Sequence, residues 1–422
     1  MAAKPAKKVV AADGLVLRIH ACSWNVAEEK PDDDLTEWLG LDCDVRFEPA
    51  VLVVGLQEVD HQDQWEEKIL KLLTQRGYTR VKQRSLAWLY TAAYVQQRHL
   101  AKVTNVESEA TKTGFAGMIP NKGAVSVRFD FYGVNLIFVN SHFTAHHPNT
   151  NERIADYDDI LDGQKFRDAD VDSILDHDYV FWFGDLNFRI DELSKSDIER
   201  AVDDGDLGAL RAHDQLNKAR AEELIFVDFE EGATEFHPTY KYDKGTDVYD
   251  TSAKQRKPAW TDRILWMVHE DAFDDVALGA KLLWYGAYPE YKTSDHKPIG
   301  AKFDIVVMNN APELPVKFAP IASPIGTRPM VSVAASYHCA GELSVSSWDW
   351  LGLYRRGFKH VDDYETWAYG ASGGGADAKK RDDVPVTFTD TEKLSGEFVV
   401  AYFNRKKNCL VGYSNVFEIQ SE

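Results

Sequence analysis

The chain has 422 residues, 44% of them apolar and 12% aromatic, which supplies a large core and excludes a disordered or low-complexity polypeptide. Lys and Arg total 48 against 68 for Asp and Glu, a net charge of −20. A surface that acidic repels polyanions, so nucleic acid is not expected as a partner, and the informative question is where the scarce positive charge collects.

At the N-terminus Lys4, Lys7 and Lys8 precede only a short apolar stretch, too brief for a secretory signal. No apolar run approaches the roughly 18 residues needed to span a bilayer. The four cysteines, Cys22, Cys43, Cys339 and Cys409, form no CxxC pair. The expectation is a cytoplasmic protein.

Strands are predicted at 15–26, 51–59, 125–131, 134–143 and 179–190, each rich in Val, Ile, Phe or Trp and bounded by Gly, Asp or Asn. Helices fit 65–75, where Trp65, Ile69, Leu72 and Leu73 share a face, and 151–175. Val125, Val127, Phe129 and Phe131 alternate strictly, which predicts a sheet with one polar face, whereas 51–54 is apolar throughout and reads as buried on both. The first part is therefore a mixed-sheet α/β domain. Between 309 and 329 lie five of the 15 prolines, which predicts an extended linker or edge segment. Beyond it, short strands at 331–334, 350–354, 366–369, 385–388 and 397–403 predict a β-sandwich without an amphipathic helix.

Five strands end in residues a core would not select: Ser23-Trp24-Asn25-Val26, Gly55-Leu56-Gln57-Glu58-Val59, Asn140-Ser141-His142-Phe143, Phe183-Gly184-Asp185-Leu186-Asn187-Phe188 and Thr293-Ser294-Asp295-His296-Lys297-Pro298. Each alone suits a cap or a turn; five together suggest a site at strand ends. Glu58, Asp185 and Asp295 with Asn25 and Asn187 are hard oxygen donors suited to Mg²⁺. His142 and His296 add proton-carrying donors. No GxSxG elbow, Cys-x5-Arg loop or Walker glycine loop offers a covalent nucleophile or an ATP cradle, so attack of an activated water on a phosphoester is the simplest chemistry.

The ordered motifs WNV, LQEV, NKGAVSVRF, NSHFTAH, WFGDLNFRI, PAWTDRIL and SDHKPIGAKF, spread over residues 16–303, resemble the inositol polyphosphate 5-phosphatases of the endonuclease/exonuclease/phosphatase superfamily. The run Pro258–Arg263 is the most specific of them to that branch. The resemblance implies an α/β fold: a layered sandwich of two mixed, mostly antiparallel sheets flanked by helices, followed here by a smaller all-β sandwich domain. It implies that Asn25, Glu58 and Asp295 hold Mg²⁺, that Asp185 takes the proton from water, and that Asn187 orients the water or the phosphate. It further implies that His296, held by Asp262, and His142 contact the scissile phosphate. From Lys241 to Arg263 six basic residues face four acids, a net of +2 in a −20 chain. Within that run the resemblance assigns Tyr240, Lys241, Lys254 and Arg256 to a neighbouring phosphate. Asn121 and Lys122 match a substrate loop, and Phe115, Met118 and Ile119 just before it are candidate membrane contacts. In the C-terminal part, Trp348–Tyr354, Asp363–Trp367 and Gly412–Phe417 resemble the SKICH domain, which implies recruitment to membranes or to protein partners. The expected division is 1–309 catalytic, 310–329 linker or edge, and 330–422 SKICH-like. The expected activity is removal of the 5-phosphate from phosphoinositides or soluble inositol phosphates. A nuclease of the same superfamily and a non-catalytic phosphoinositide-binding adaptor are the alternatives.

Overall fold

Twelve strands build the first unit of the computed structural model, which describes residues 14–44, 47–113, 122–167, 171–309, 314–323, 325–326, 333–339, 343, 346–370, 384–389, 391 and 393–420. They are β1 (Gly14–Asn25), β2 (Val51–Gln57), β3 (Tyr78–Leu86), β4 (Leu89–Gln96), β5 (Val103–Lys112), β6 (Gly123–Phe131), β7 (Val134–His142), β8 (Tyr179–Asp185), β9 (Glu230–Glu231), β10 (Asp262–Val268), β11 (Ala280–Ala287) and β12 (Ile299–Met308). One sheet runs β11-β12-β1-β2-β4-β3 and the other β5-β6-β7-β8-β10-β9. Their paired strands are antiparallel except β1 with β2 and β7 with β8.

Those two parallel pairs position the site. Parallel neighbours end on the same side, so the carboxyl ends of β1, β2, β7 and β8 deliver Asn25, Glu58, His142 and Asp185 to one rim. Antiparallel β10 begins at that rim with Asp262.

Between the sheets lies a core in which Phe138 stacks on Phe181 at 5.3 Å and Phe181 meets Phe303 at 5.1 Å. Five helices flank the sheets: α1 (Gln62–Gln75), α2 (Thr150–Gly163), α3 (Lys195–Asp203), α4 (Leu207–Arg211) and α5 (Gln215–Ala221). On the outside of the first sheet, α1 buries Trp65, Ile69 and Leu73 against Trp24 and Trp38. On the outside of the second, Tyr157 and Ile160 of α2 and Leu216 of α5 join Trp182 and Phe226. Each such side chain contributes about 1.5–3 kcal/mol by leaving water. The result is an α/β sandwich of four layers.

The strand predicted at 179–190 stops at Asp185, because Asn187 turns into the left-handed region at φ 57° and carries the chain out of the sheet. The helix predicted at 151–175 closes at Gly163, and among the described residues one 3₁₀ turn, Ile174–Asp176, follows before β8. The alternation in β6 misleads: Ser126 and Arg128 are as buried as the valines, because the outer face is covered too. Ser126 donates to Gln164 at 2.6 Å, and Arg128 donates to the Asn105 carbonyl at 2.8 Å and lies 3.2 Å from Asp130. Val51, Leu52, Val53 and Val54 are fully buried, as the unbroken apolar run predicts.

The C-terminal unit is all β among the described residues. Its strands are β13 (Val316–Phe318), β14 (Ile325–Gly326), β15 (Val333–Cys339), β16 (Trp350–Arg355), β17 (Tyr364–Tyr369), β18 (Val384–Phe388), β19 (Gly396–Asn404), β20 (Cys409–Tyr413) and β21 (Phe417–Gln420). A three-stranded sheet, β13-β15-β18, faces a larger one, β14-β21-β19-β16-β17, with β20 also paired to β19. The proline-rich stretch supplies the edge strands β13 and β14. This unit also touches the first. Arg80 donates its backbone N–H to the Lys359 carbonyl at 2.8 Å, Thr79 donates to the Phe358 carbonyl at 3.0 Å, and Asn408 donates to the Val106 carbonyl at 3.0 Å. Apolar residues of both units form one continuous cluster.

Candidate active site

Strand register sets the geometry. His142 of β7 is paired with Asp185 of β8, and Asp185 with Asp262 of β10, so three ionisable side chains occupy one row across the second sheet. β8 can lie this close to β7 because of Gly184, whose φ is +134° and where a Cβ would stand 2.0 Å from the Ser141 carbonyl oxygen. That is the structural content of the glycine in GDLN. Beneath the row, Gln57 donates to Ser23 at 3.2 Å and to Asn140 at 2.7 Å, and Asn140 donates to the carbonyls of Leu56 and Tyr90. These fully buried amides join the two sheets under the site; they are its floor.

Asp185 is the hub. Its Oδ2 accepts from Asn25 Nδ2 at 3.0 Å and lies 3.2 Å from His142 Nε2 and 3.9 Å from His296 Nε2, while Oδ1 accepts from the Asn187 backbone at 3.0 Å. Burial works against its charge, but His142, His296 and Lys122 outweigh that and hold the carboxyl well below the usual carboxylate range. On one side stand Lys122, whose Nζ abuts His142 Nε2, and Glu58, whose Oε1 is 3.8 Å from the same imidazole nitrogen. Burial pulls the Lys122 ammonium down to about 8, and burial with the Lys122 charge lowers the His142 imidazole. Glu58 sits at φ 53°, a strained conformation for a side chain without local hydrogen bonding, of the kind that clusters at functional sites.

On the other side Asp262 Oδ2 accepts from Thr239 at 2.6 Å and Thr261 at 2.9 Å and lies 2.9 Å from His296 Nδ1. Burial opposes the His296 charge, yet Asp262 carries its pKa up to about 10, so the ring is an imidazolium at neutral pH. Its backbone is fixed by Trp24, which donates to the His296 carbonyl at 3.0 Å. Asp185, Asp262 and His296 gather within 4.8 Å of one another, but three donors already converge on one Asp262 oxygen, so this group is a proton-ordering chain more than a cation cage. Asp295 stands outside it, ion-paired with Lys241.

Beyond His296, the Tyr240 ring packs 4.5 Å from the imidazole and 4.5 Å from the Arg189 guanidinium. It marks the entrance to a cleft of about 290 Å³ whose lining includes Arg189, His146, Lys254, Arg256 and Lys257. Lys254, Arg256 and Lys257 have no carboxylate partner among the described residues. Three members of the basic run do not join them, the first being Lys241 in its ion pair with Asp295. Lys244 pairs with Glu29, and Arg263 is buried in an ion cluster with Asp214 at 2.9 Å and Glu231 at 2.6 Å, behind the site.

The structure thus brings Asn25, Glu58, Lys122, His142, Asp185, Asn187, Asp262 and His296 together, with Tyr240, Lys254 and Arg256 along the adjoining cleft. Asn121, Phe115, Met118 and Ile119 lie outside the described residues. Arg189 was not anticipated: it donates to the Asn187 carbonyl at 2.9 Å and also binds the Asn187 side-chain oxygen. Its position two residues after Asn187 in GDLNFR was the available signal.

Residues 22–302 match the family described as Endonuclease/Exonuclease/phosphatase family 2, and residues 316–419 match the SKICH domain. The chain belongs to that endonuclease/exonuclease/phosphatase family. Within it, the relatives are inositol polyphosphate 5-phosphatases. Human phosphatidylinositol 4,5-bisphosphate 5-phosphatase A is 35% identical over 95% of this chain, which spans 41% of that protein's length. Mouse inositol polyphosphate 5-phosphatase K is 29% identical over 99% of this chain and 93% of its own. The inositol polyphosphate 5-phosphatase domain of a synaptojanin, solved in complex with inositol (1,4)-bisphosphate and a calcium ion, superposes with a TM-score of 0.63 at 34% identity, over 71% of this chain and 87% of the other. A Cimex nitrophorin ferrous NO complex matches at TM-score 0.57 and 29% identity, over 69% of this chain and 99% of its own. The fold therefore does not by itself fix the activity; the site has to.

Proposed function

We propose that the protein is a Mg²⁺-dependent phosphoric monoester hydrolase that removes the 5-phosphate of phosphoinositides such as PtdIns(4,5)P2 and PtdIns(3,4,5)P3, or of soluble inositol phosphates such as Ins(1,4,5)P3, by direct attack of water. The observation that carries this reading is the juxtaposition, across Tyr240, of a carboxylate–histidine centre with a cleft of unpaired cations. The first suits a scissile phosphate, and the second suits a phosphate that does not react. The relatives named above support the substrate class.

Asp185, ionised at every physiological pH, accepts the proton of the attacking water. Asn187, tied through its side chain to the Phe143 carbonyl at 3.1 Å and to Arg189, orients the water or the phosphate. His296 donates from Nε2 to the phosphate, while Asp262 fixes its tautomer and supports its charge; His142 and Lys122 serve the other flank, and the resemblance assigns Asn121 to the substrate as well. Tyr240, Lys241, Lys254 and Arg256 take the adjacent phosphate.

The donor set fits Mg²⁺. The Glu58 carboxylate is about a third exposed, His142 is its one ion-pair partner among the described residues, and Asn25 is paired with Gln57, the residue just before Glu58. Glu58 and Asn25 would hold the ion, with Asp295 nearby. A bound Mg²⁺ would acidify water and polarise the phosphate, which suits a base as weak as Asp185. We further propose residues 1–309 as the catalytic unit, 310–329 as its connection and 330–422 as a recruitment unit. In this reading the protein is cytoplasmic, is drawn to membranes, and contacts them with Phe115, Met118 and Ile119.

Phosphate release from a panel of inositol phosphates and short-chain phosphoinositides, with Mg²⁺ and with EDTA, tests the proposal. Turnover should require the metal, and Asp185→Asn should lower kcat by about 10²–10⁴. A kcat within about threefold of wild type would remove Asp185 as the base. Hydrolysis of DNA in place of these substrates would establish the nuclease reading.

A further inference from the structure

We infer that the C-terminal β-sandwich carries a second binding site, an aromatic groove that takes an extended proline-rich peptide bearing one acidic or phosphorylated side chain. The groove encloses about 570 Å³ and is lined by Trp348, Trp350, Tyr364, Trp367, Tyr369 and Arg405. That volume lies within the range of about 300–1,000 Å³ typical of ligand pockets.

Five large aromatic side chains on one small surface are costly to leave in water. Trp348 is 66% exposed, Trp367 44% and Tyr369 50%, three exposed rings on one surface where Phe47, Trp88 and Trp284 are exposed singly elsewhere. They are also held rigidly. Trp350 stacks on Phe403 at 4.9 Å and meets Tyr364 edge-on at 5.1 Å, and Trp367 meets Tyr369 edge-on at 4.8 Å. The register explains the hollow. Tyr369 and Phe403 flank Trp350 in one row, and in the next Trp367 is paired with Gly352. A Cβ at Gly352 would stand 2.5 Å from the Tyr354 ring and 3.0 Å from the Trp350 ring, so glycine is what lets those two rings pack over the strand between the aromatic rows.

Charge selects the occupant. Among the described residues the lining holds one cation and no anion. Arg405 is exposed, and its guanidinium has no partner among the described residues. Its place is nevertheless fixed, because its backbone N–H donates at 2.8 Å to Asp349, a buried carboxylate that also accepts from Tyr402 and Asn404 at 3.0 Å each. A ligand therefore needs flat apolar faces to lie between rings and a single anion to meet Arg405. A neutral sugar could stack on the rings but would bring no anion to Arg405. An anionic bilayer would meet a single cation among the lining residues, Arg405, where surface binding draws on several. A proline-rich segment answers both requirements, since its preformed polyproline II helix lies along aromatic-lined grooves at little entropic cost. Among the described residues β17 is the last strand of its sheet, so the groove lies along that edge.

The test uses the full chain and synthetic ten-residue proline-rich peptides carrying glutamate, phosphoserine or glutamine at one position, titrated by tryptophan fluorescence and calorimetry. Phosphatidylcholine/phosphatidylserine vesicles form a parallel arm. The expected result is saturable binding of the acidic peptides, stronger than that of the glutamine peptide, with glutamate and phosphoserine distinguishing the two anion sources. Trp367→Ala should weaken it about tenfold or more, as loss of an aromatic anchor does. Arg405→Glu should abolish the acidic preference and spare binding of the neutral peptide. Both positions are exposed, so melting temperatures should hold; if Trp367→Ala melts early, Arg405→Glu decides alone. No saturable binding of any peptide up to about 1 mM, insensitivity to Trp367→Ala in a folded protein, or an acidic preference that survives Arg405→Glu would overturn the inference. So would vesicle binding that Trp367→Ala removes while peptide binding stays undetectable.

Discussion

Removing Lys254 and Arg256 should separate substrates by whether they carry a phosphate next to the scissile one. The two side chains line the same cleft but are not equivalent: Lys254 is exposed, whereas Arg256 is half-buried and its backbone N–H is anchored to Asp250 at 2.7 Å. An exposed ion pair is worth about 0–1 kcal/mol. A charged hydrogen bond from a partly desolvated guanidinium is worth about 1.5–3 kcal/mol. At about 1.4 kcal/mol per factor of ten, Lys254→Ala should cost up to about fivefold in kcat/KM and Arg256→Ala roughly 10- to 150-fold. The double variant should approach the product, or fall short of it where both groups share one phosphate. Part of the loss should appear in kcat, because binding energy at a non-reacting group orients the reacting one. The assay is kcat/KM for wild type and three variants on Ins(1,4,5)P3 and on an inositol 5-monophosphate. The losses should be large on the first and small on the second. Equal fold-losses on both would refute the contact and leave only general electrostatics or fold.

Glu58→Gln should raise the Mg²⁺ concentration for half-maximal activity, since an amide binds the cation less tightly than a carboxylate; an unchanged titration would remove Glu58 from the metal site. Asp262→Asn should shift the alkaline limb of the pH–rate profile. In the wild type His296 stays charged until pH rises through about 10, and without the Asp262 charge its pKa should fall toward the ordinary 6.5. Because the folded pKa is the raised one, the stabilisation from this pair is full below about pH 6.5 and is lost as pH rises through about 10, so the variant's loss of melting temperature should be largest in acid and fade in base. A limb that stays in place would show that His296 does not act as a cation. Deleting residues beyond 309 should preserve turnover per folded molecule but lower the melting temperature, because β3 and β5 lose their contacts with the second unit. An unchanged melting temperature would mean that this interface contributes nothing.

Much of the molecule was legible in the chain alone. The unbroken run 51–54 specified a strand buried on both faces, and the polar residues closing β1, β2, β7 and β8 marked a site before any contact was known. Both are local signals, written in side-chain chemistry and in a period of two or less. Other decisions needed the assembled fold. Ser126 and Arg128 read as a wet face until neighbouring segments covered them, and Arg263 counted in the positive run 241–263 until Asp214 and Glu231, distant in sequence, enclosed it. Sequence could place Asp185, Asp262 and His296 in one site, but not their protonation. That follows from register, which sets Asp262 opposite Asp185 and puts His296 2.9 Å from Asp262, where the electrostatic energy between buried charges depends on ångströms. The aromatic groove shows the same division. The Trp and Tyr of 348–369 read as core, as most rings in a sandwich are; Tyr354 is buried as that reading requires, whereas the tertiary structure leaves Trp348, Trp367 and Tyr369 exposed around the groove.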